Sequence, residues 1–121
     1  MKKILIVEDD PFIRDITTVK LSEKQYETKT ASDAESALSA ITEDAPDVIL
    51  LDLDLPDMKG GETFAAVKDE VAKANSNAVI IIFSNSSDEE IRKNALTNGA
   101  AAFFVKAETN FDDIIRFIEA Q

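Results

Sequence analysis

The stretch Ile49–Gly61 reads ILLDLDLPDMKGG and places two aspartates, Asp52 and Asp54, directly after a run of apolar residues. A carboxylate is costly to hold away from water unless a partner group pairs with it. Two interpretations follow from this pattern. Either the strand ends at Asp52 and both acids are solvated turn residues, or they are kept there for chemistry. Pro56 and Gly60 then shape the turn into the next helix.

Four short apolar runs predict strands that are buried on both faces, which is the signature of a parallel sheet. These runs are Ile4–Val7, Val48–Leu51, Ala78–Phe83 and Ala100–Val105. A weaker, alternating run at Tyr26–Ala31 predicts an edge strand. Segments with helical spacing separate the runs. The order predicts one α/β domain over residues 1–121, with a doubly wound parallel sheet and helices on both faces.

Apolar stripes and capping residues mark the predicted helices. The stripes are Phe12, Ile16 and Val19; Ala34, Ala37, Leu38 and Ile41; Phe64, Val67 and Val71; and Phe111, Ile114, Ile115 and Ile118. The predicted caps are Asp10 before Pro11, Ser32 with Glu35, Ser87 with Glu90, and Asn98 with Gly99 at a helix end.

Composition excludes several classes of function. The 121 residues include 13 basic and 24 acidic side chains, a net charge of −11, and neither histidine nor cysteine. Disulfides, thiolate zinc sites and histidine-based catalysis are therefore excluded. Because no cluster of lysine or arginine occurs, nucleic acid and anionic membranes are disfavoured as partners. No apolar run has the length of a signal peptide or a membrane span, so we expect a cytoplasmic protein.

Polar residues follow each predicted central strand. In order along the chain they are Glu8, Asp9 and Asp10; Asp52 and Asp54; Ser84 and Asn85; and Lys106. Ligands bind at the carboxyl ends of strands in such sheets, so these groups predict one acidic crevice with a hydroxyl and an ammonium. An all-oxygen cluster suits a hard divalent ion such as Mg²⁺. A carboxylate nucleophile, a metal and cationic donors together favour phosphoryl transfer.

These motifs resemble the receiver domain of two-component response regulators over essentially the entire chain. The resemblance rests on Glu8-Asp9, Asp52 in DLDLPDMKG, Ser84, and Lys106 in FFVKA. It implies a flavodoxin-like five-stranded sheet of strand order 2-1-3-4-5 and a single-domain, chemotaxis-type regulator. It also implies that Asp52 is the phospho-acceptor, and that the donor is a histidine kinase, a phosphotransfer protein or a small phosphodonor.

The resemblance further implies a ligand set and a switch. Asp9 and Asp52 would bind Mg²⁺ directly, Glu8 through water, and Asp54 through its backbone carbonyl. Ser84 and Lys106 would bind the phosphoryl oxygens. Phosphorylation would then draw Ser84 inward and let Phe103 follow.

The surface expected to change comprises the fourth helix, the fifth strand and the fifth helix, read by a downstream protein partner. A phosphorylation-dependent homodimer through this face occurs within the family. The protein would catalyse only its own phosphorylation and dephosphorylation.

Three residues depart from the family pattern or add to it. Ala107 stands where most members carry a proline after a cis peptide bond, so the isomer of the Lys106–Ala107 bond is left open. Asn85 is bulkier than the usual small residue, and Asp54 adds a charge near the path of an attacking water. We expect these residues to alter the lifetime of the phosphoryl group, in a direction that the sequence does not specify.

Two other classes of function compete with this prediction. Asp52-Leu53-Asp54 also matches the DxD motif of haloacid-dehalogenase-like phosphatases, with Ser84, Lys106 and Asp112-Asp113 as the remaining groups. The third reading is a binding module that is not phosphorylated. The sequence leaves open whether the chain is freestanding or part of a longer regulator.

Overall fold

The computed structural model describes residues 2–74, 76–86 and 88–121, and within these residues five strands alternate with five helices. The strands are β1 (Lys3–Val7), β2 (Glu27–Ala31), β3 (Val48–Leu51), β4 (Val79–Ser84) and β5 (Ala102–Val105). The helices are α1 (Pro11–Ser22), α2 (Ala34–Glu43), α3 (Gly60–Lys73), α4 (Glu89–Thr97) and α5 (Phe111–Glu119). A 3₁₀ turn at Lys106–Glu108 joins β5 to α5. The predicted alternation is confirmed.

The strands form one parallel sheet in the order β2-β1-β3-β4-β5, which confirms the predicted topology. Val7 lies beside Leu51, Leu51 beside Ile82, and Ser84 beside Val105. The carboxyl ends of β1, β3, β4 and β5 therefore meet at one edge. The winding direction reverses there, between β1 and β3, which is where sheets of this type bind ligands.

Helices cover both faces of the sheet, so alternate residues of a strand enter different cores. In β3, Ile49 and Leu51 pack with side chains of α2 and α3, whereas Val48 and Leu50 pack with side chains of α1 and α5. Burial on both faces is the reason that the strands are continuous apolar runs. Truncating one such side chain to alanine lowers the free energy of unfolding by about 2–5 kcal/mol.

Several strands begin one or two residues away from their predicted starts. β5 differs most, because it begins at Ala102 rather than Ala100. The Ala100 N–H donates to the Ala95 carbonyl at 2.9 Å and so belongs to the end of α4. The other observed starts are Lys3 for Ile4, Glu27 for Tyr26 and Val79 for Ala78. Apolar content alone does not separate a helix terminus from the strand that follows it.

The predicted core stripe of α1 is wrong. Phe12 is 74% exposed and Val19 is 55% exposed, whereas the buried residues of α1 are Thr17 and Leu21. The Thr17 hydroxyl donates to the Ile13 carbonyl at 2.7 Å, which satisfies its polar group inside the protein. A pattern that counts only apolar residues misses this face because a threonine occupies its centre.

Of the four predicted helix caps, two are confirmed, one is wrong and one falls on a residue outside the described part of the chain. Asp10 accepts the N–H groups of Phe12 and Ile13, as predicted. Gly99 has a φ of 114° just beyond α4, which confirms the predicted helix end. The Ser32–Glu35 prediction is wrong, because Asp33 caps α2 in a capping box with Ser36. Ser87 lies outside the described residues, and Asp88 caps α4.

Candidate functional site

Three buried polar side chains lie at the carboxyl edge of the sheet. Glu8 follows β1, Asp52 follows β3 and Ser84 ends β4, and they are 3%, 5% and 0% exposed. Asp9 and Asp10, which come after Glu8, are exposed. The predicted crevice therefore has a buried floor of two acids and a hydroxyl, with Asp9 at its rim.

Lys106 pairs with both buried acids. Its Nζ atom lies 2.5 Å from Glu8 Oε1 and 2.9 Å from Asp52 Oδ2, and 5.7 Å from the centroid of the Phe83 ring. Lys106 begins the 3₁₀ turn after β5, and the Thr109 hydroxyl donates to the Val105 carbonyl at 2.7 Å across that turn. The structure thus brings together the end of β5 and the ends of β1 and β3.

The peptide bond between Lys106 and the exposed Ala107 is trans, like every other bond among the described residues. The isomer that the sequence left open is therefore trans in this structure. Lys106 reaches Asp52 without a proline after it.

Burial and ion pairing together shift the pKa values of Glu8 and Lys106. Burial raises the pKa of Glu8 to about 7, and the nearby charge of Asp52 adds to the rise while the hydrogen bond from Lys106 opposes it. Burial alone would lower the pKa of Lys106, but its hydrogen bonds to Glu8 and Asp52 outweigh this and raise it. Two acids thus share one ammonium, and the cluster carries an excess of negative charge.

The carboxylates of Glu8, Asp9 and Asp52 offer three oxygen atoms that lie within 4.8 Å of one another. Among the described residues this is the group of acids close enough to share a metal ion. The donor set is entirely oxygen, which fits a hard divalent cation such as Mg²⁺. A cation would also offset the excess negative charge that the acids carry beside Lys106.

The segment between β3 and α3 holds Asp52 and Asp54 in a fixed arrangement. Leu53 and Leu55 are fully buried, and Asp54 between them is exposed. The Asp54 N–H donates to Asp52 Oδ1 at 3.0 Å, and the Thr63 hydroxyl donates to the Leu53 carbonyl at 2.9 Å. Asp52 is therefore a buried, hydrogen-bonded group, and Asp54 is a surface residue of the turn.

Asp57 ties the same segment to a distant helix. Its two carboxylate oxygens accept the N–H groups of Ala34 at 2.8 Å and Glu35 at 3.0 Å, at the start of α2. These bonds hold the pKa of Asp57 below its usual value. Sequence reasoning missed this role because the bonded residues are 22 and 23 positions away.

Arg14 is a second residue that sequence reasoning missed. Its guanidinium donates to the Glu8 carbonyl at 3.2 Å, from the second turn of α1. This contact links α1 to the backbone that carries Glu8 and Asp9. The available signal was an arginine five residues after an acidic pair, which is weak without the fold.

Ser84 and its neighbours form the other side of the site. The Ser84 hydroxyl accepts the Ser86 N–H at 3.4 Å, and Asn85 between them is exposed. Phe103 is half-buried against the core that contains α2 and α3, whereas Phe104 packs edge-on against Phe117 on the opposite face. The two aromatic residues of β5 therefore point to opposite sides of the sheet.

The acid pair that the phosphatase reading requires is used elsewhere. Asp112 and Asp113 lie in the first turn of α5, and Asp113 pairs with Arg116 on the same helix. Neither belongs to the cluster of Glu8, Asp9 and Asp52. A haloacid-dehalogenase-like phosphatase would need this acid pair close to its DxD motif, and Asp112 and Asp113 do not lie there.

The described helices contain no segment that is long and apolar enough to cross a membrane.

A family model described as the response regulator receiver domain matches residues 4–119. The transcriptional regulatory protein KdpE of Staphylococcus aureus is 38% identical over 120 residues, which are 97% of this chain and 49% of that protein. KdpE of Mycobacterium tuberculosis is 32% identical over 106 residues, which are 88% of this chain and 45% of that protein. The chain therefore spans about half the length of the curated relatives it matches.

Solved structures give the same result. A CheY-like response regulator receiver domain protein from Methanospirillum hungatei JF-1 superimposes with a TM-score of 0.88 at 28% identity, covering 99% of this chain and 92% of that one. The receiver domain of Francisella response regulator 1452 gives a TM-score of 0.84 at 26% identity, covering 99% and 95%. With a matching family model over nearly its whole length and the same fold, this chain belongs to the response regulator receiver domain family.

Proposed function

We propose that the protein accepts a phosphoryl group on Asp52 as the receiver of a two-component phosphorelay. The observation that carries this proposal is the Asp52 carboxylate, which is buried, bonded by Lys106 at 2.9 Å and close to Glu8 and Asp9. A buried carboxylate with a cation at one oxygen is oriented, and its second oxygen is held by the Asp54 N–H. Such a group is positioned as a nucleophile.

In this reaction an Asp52 oxygen forms a bond to phosphorus while the bond from phosphorus to the donor breaks. The donor is a phosphohistidine of a histidine kinase or phosphotransfer protein, or a small acyl phosphate, and its leaving group takes the electron pair. Lys106 and the Ser84 hydroxyl donate to the phosphoryl oxygens and so stabilise the charge that develops on them. The protein then acts as a catalyst only of its own phosphorylation and dephosphorylation.

Asp9 and Asp52 would hold Mg²⁺ directly, with Glu8 acting through water and Asp54 through its backbone carbonyl. The bridge between Asp54 and Lys59 uses the carbonyls of Leu53 and Met58, so the Asp54 carbonyl is not committed to it. When bound, Mg²⁺ supplies positive charge to the phosphoryl oxygens.

Phosphorylation would act on the far side of the site through Ser84. A phosphoryl group adds charge and acceptor oxygens, which attract the Ser84 hydroxyl and the residues that follow it. Phe103 would then move toward the vacated space and change the face formed by α4, β5 and α5. A downstream protein that prefers the changed face would shift the population toward it.

The donor protein needs access to Asp52 from the edge where Asp9 lies. Phe12 and Val19 are large apolar side chains exposed on α1, which starts directly after Asp9 and Asp10. Exposed apolar residues beside a reactive group favour contact with a protein. The net charge of −11 argues against nucleic acid or an anionic membrane as the partner of this chain.

Three further parts of the proposal rest on the family. Asp54, Asn85 and Ala107 would modulate the lifetime of the phosphoryl group, since all three flank the acceptor or its ligands in sequence. A phosphorylation-dependent homodimer through α4, β5 and α5 is the proposed form of self-association. The assignment of residues 1–121 to one receiver domain stays a prediction, and so does a cytoplasmic location. The chain is proposed to act either as a freestanding receiver or as part of a longer regulator.

The test is the intact mass of the protein after incubation with Mg²⁺ and acetyl phosphate, followed over time. Wild type should gain one phosphoryl group, and Asp52→Asn or removal of Mg²⁺ should abolish the adduct. Beryllofluoride should bind wild type under the same conditions and not bind Asp52→Asn. If neither reagent gives an Asp52-dependent adduct, the chain is a binding module that works without phosphorylation.

A further inference from the structure

Lys59 occupies an unusual place at the start of α3. The other four helices of the described chain have an N-cap residue whose side chain accepts a backbone N–H, namely Asp10, Asp33, Asp88 and Asn110. The N-cap residue of α3 is Lys59, which makes no side-chain capping bond. An ammonium at a helix N-terminus also opposes the helix dipole. Residues that break a local rule in this way often mark a functional requirement.

The backbone places Lys59 directly opposite Asp54. The two residues form an isolated antiparallel bridge, flanked by bonds from the Leu55 N–H to the Met58 carbonyl and from the Gly60 N–H to the Leu53 carbonyl. These flanking bonds make Asp54 and Lys59 a non-hydrogen-bonded pair, in which opposed side chains share one side of the ribbon. Their Cβ atoms are then about 4.5–5.5 Å apart.

This pair of charges lies next to the acceptor. The Asp54 N–H donates to Asp52 Oδ1 at 3.0 Å, so the residue that faces Lys59 is itself bonded to Asp52. Both side chains are exposed, and their charged groups form none of the direct salt bridges of the described residues. Any effect of Lys59 on Asp54 is therefore exerted through the electric field of its ammonium rather than through a direct salt bridge.

We propose that Lys59 is a positioning residue that offsets the Asp54 carboxylate and so sets how fast an anionic small phosphodonor reaches Asp52. The inference rests on the proposed phosphorylation of Asp52. Glu8, Asp9 and Asp52 already carry more negative charge than Lys106 balances. An uncompensated Asp54 would repel an approaching dianion and compete for the cation that the acids attract.

The experiment compares rates of phosphorylation by acetyl phosphate, measured by intact mass at low ionic strength and saturating Mg²⁺. The variants are Lys59→Gln, Lys59→Arg, Asp54→Asn and the double variant Lys59→Gln/Asp54→Asn. Lys73→Gln is the matched control, since it removes the same charge from the other end of α3. That residue is about 20 Å further along the helix, so its electrostatic interaction with Asp54 is several times weaker than that of Lys59.

Lys59→Gln should slow phosphorylation by about twofold to fivefold, the range that exposed opposite-charge pairs produce. Lys59→Arg should keep the wild-type rate because it keeps the charge. In the Asp54→Asn background, adding Lys59→Gln should change nothing, and added salt should shrink the difference between Lys59→Gln and wild type.

Two results would overturn the inference while leaving phosphorylation of Asp52 intact. One is a Lys59→Gln rate equal to that of Lys73→Gln. The other is a loss of rate that persists undiminished in the Asp54→Asn background, which would mean that Lys59 acts without Asp54. A wild-type protein that takes up no phosphoryl group would instead overturn the proposed function itself.

Discussion

The two sides of the site are built differently. The acid half comprises Glu8, Asp52 and the turn from Leu53 to Lys59, and the hydroxyl half comprises Ser84, Asn85 and Ser86. In the acid half, buried leucines and hydrogen bonds of 2.8–3.0 Å hold the backbone to α2 and α3. In the hydroxyl half, the side-chain bonds that the described residues make after β4 are 3.4 Å long and local, from the Ser86 N–H to Ser84 and from the Asp88 N–H to Ser86.

This difference indicates that the acid half holds charges in place and that the hydroxyl half is the part that moves. The carboxylates of the acid half repel one another, so a rigid backbone is needed to hold them close together. The buried leucines and short hydrogen bonds of the acid half provide such a backbone. A hydroxyl that must move toward a newly added phosphoryl group needs weak restraints, and bonds near the length limit provide them. Moving the residues after Ser84 therefore costs little in side-chain hydrogen bonds and breaks none of the bonds of the ion cluster.

The largest expected effect comes from removing a buried anchor of the acid half. Leu55→Ala should lower the free energy of unfolding by about 2–5 kcal/mol, because it leaves a cavity in a fully buried position. Urea denaturation measures the change. Leu96→Ala on α4, where the side chain is partly exposed, is the matched control and should cost far less. Equal costs for the two variants would contradict the rigid picture of the acid half.

The second effect is a dependence of the free energy of unfolding on pH, which originates in Glu8 of the acid half. The pKa of Glu8 is about 7 in the folded protein and 4.5 ordinarily, so the folded state holds this proton more tightly than the unfolded state. Without Mg²⁺, the free energy of unfolding should therefore fall as pH rises from 4.5 through about 7. Glu8→Gln should flatten this slope in urea titrations at each pH.

Asp57→Asn serves as the control for that measurement. The pKa of Asp57 is held below 3.8, so its stabilising contribution is present above this pH and is lost only in more acidic solution. The variant should leave the slope between pH 4.5 and about 7 unchanged. A slope that survives Glu8→Gln would assign the effect to another group.

A smaller effect is expected where the acid half lacks a capping bond. Lys59→Asn should raise the free energy of unfolding by about 1 kcal/mol, because an asparagine can cap α3 and the change removes an ammonium that opposes the helix dipole. The same charge change at the other end of the helix, Lys73→Asn, should destabilise the protein slightly. If Lys59→Asn is instead less stable than wild type, the attraction between Lys59 and Asp54 outweighs the gain of a cap.

The smallest effect on stability should come from the hydroxyl half. Ser86→Ala removes the acceptor for a 3.4 Å bond from the Asp88 N–H and should change the free energy of unfolding by less than about 0.5 kcal/mol. Hydrogen exchange of the Asp88 amide should nevertheless become faster. A loss comparable to that of Leu55→Ala would mean that the two halves are equally fixed.

Topology made most of the site predictable from the sequence. Glu8, Asp52, Ser84 and Lys106 each follow a recognisable apolar run, and the rule that strands of a parallel sheet end at one edge brings them together. The residues that position them were not predictable in this way. Asp57 and Arg14 act on backbone atoms, and backbone atoms carry no sequence signal.

The errors have a similar physical origin. On α1, the buried face is centred on Thr17, whose hydroxyl is satisfied by its own helix, so hydropathy assigned the wrong side. At α2, Asp33 and Ser36 form the capping box one residue later than the predicted pair. Both errors arise because serine, threonine and aspartate make local hydrogen bonds that depend on the exact backbone conformation.

The strand order has a consequence for the way the chain folds. β1 pairs with both β2 and β3, so the first three strands form one continuous sheet using only the first 51 residues. Glu8 and Asp9 lie within that span and Asp52 directly follows it, whereas Lys106 arrives after the last strand. During synthesis the acids are therefore made before the lysine that pairs with them. We expect docking of β5 to be the step that completes the fold, because it brings Lys106 to the two buried acids. Until that step, cations from the solvent would have to balance the negative charge of these acids.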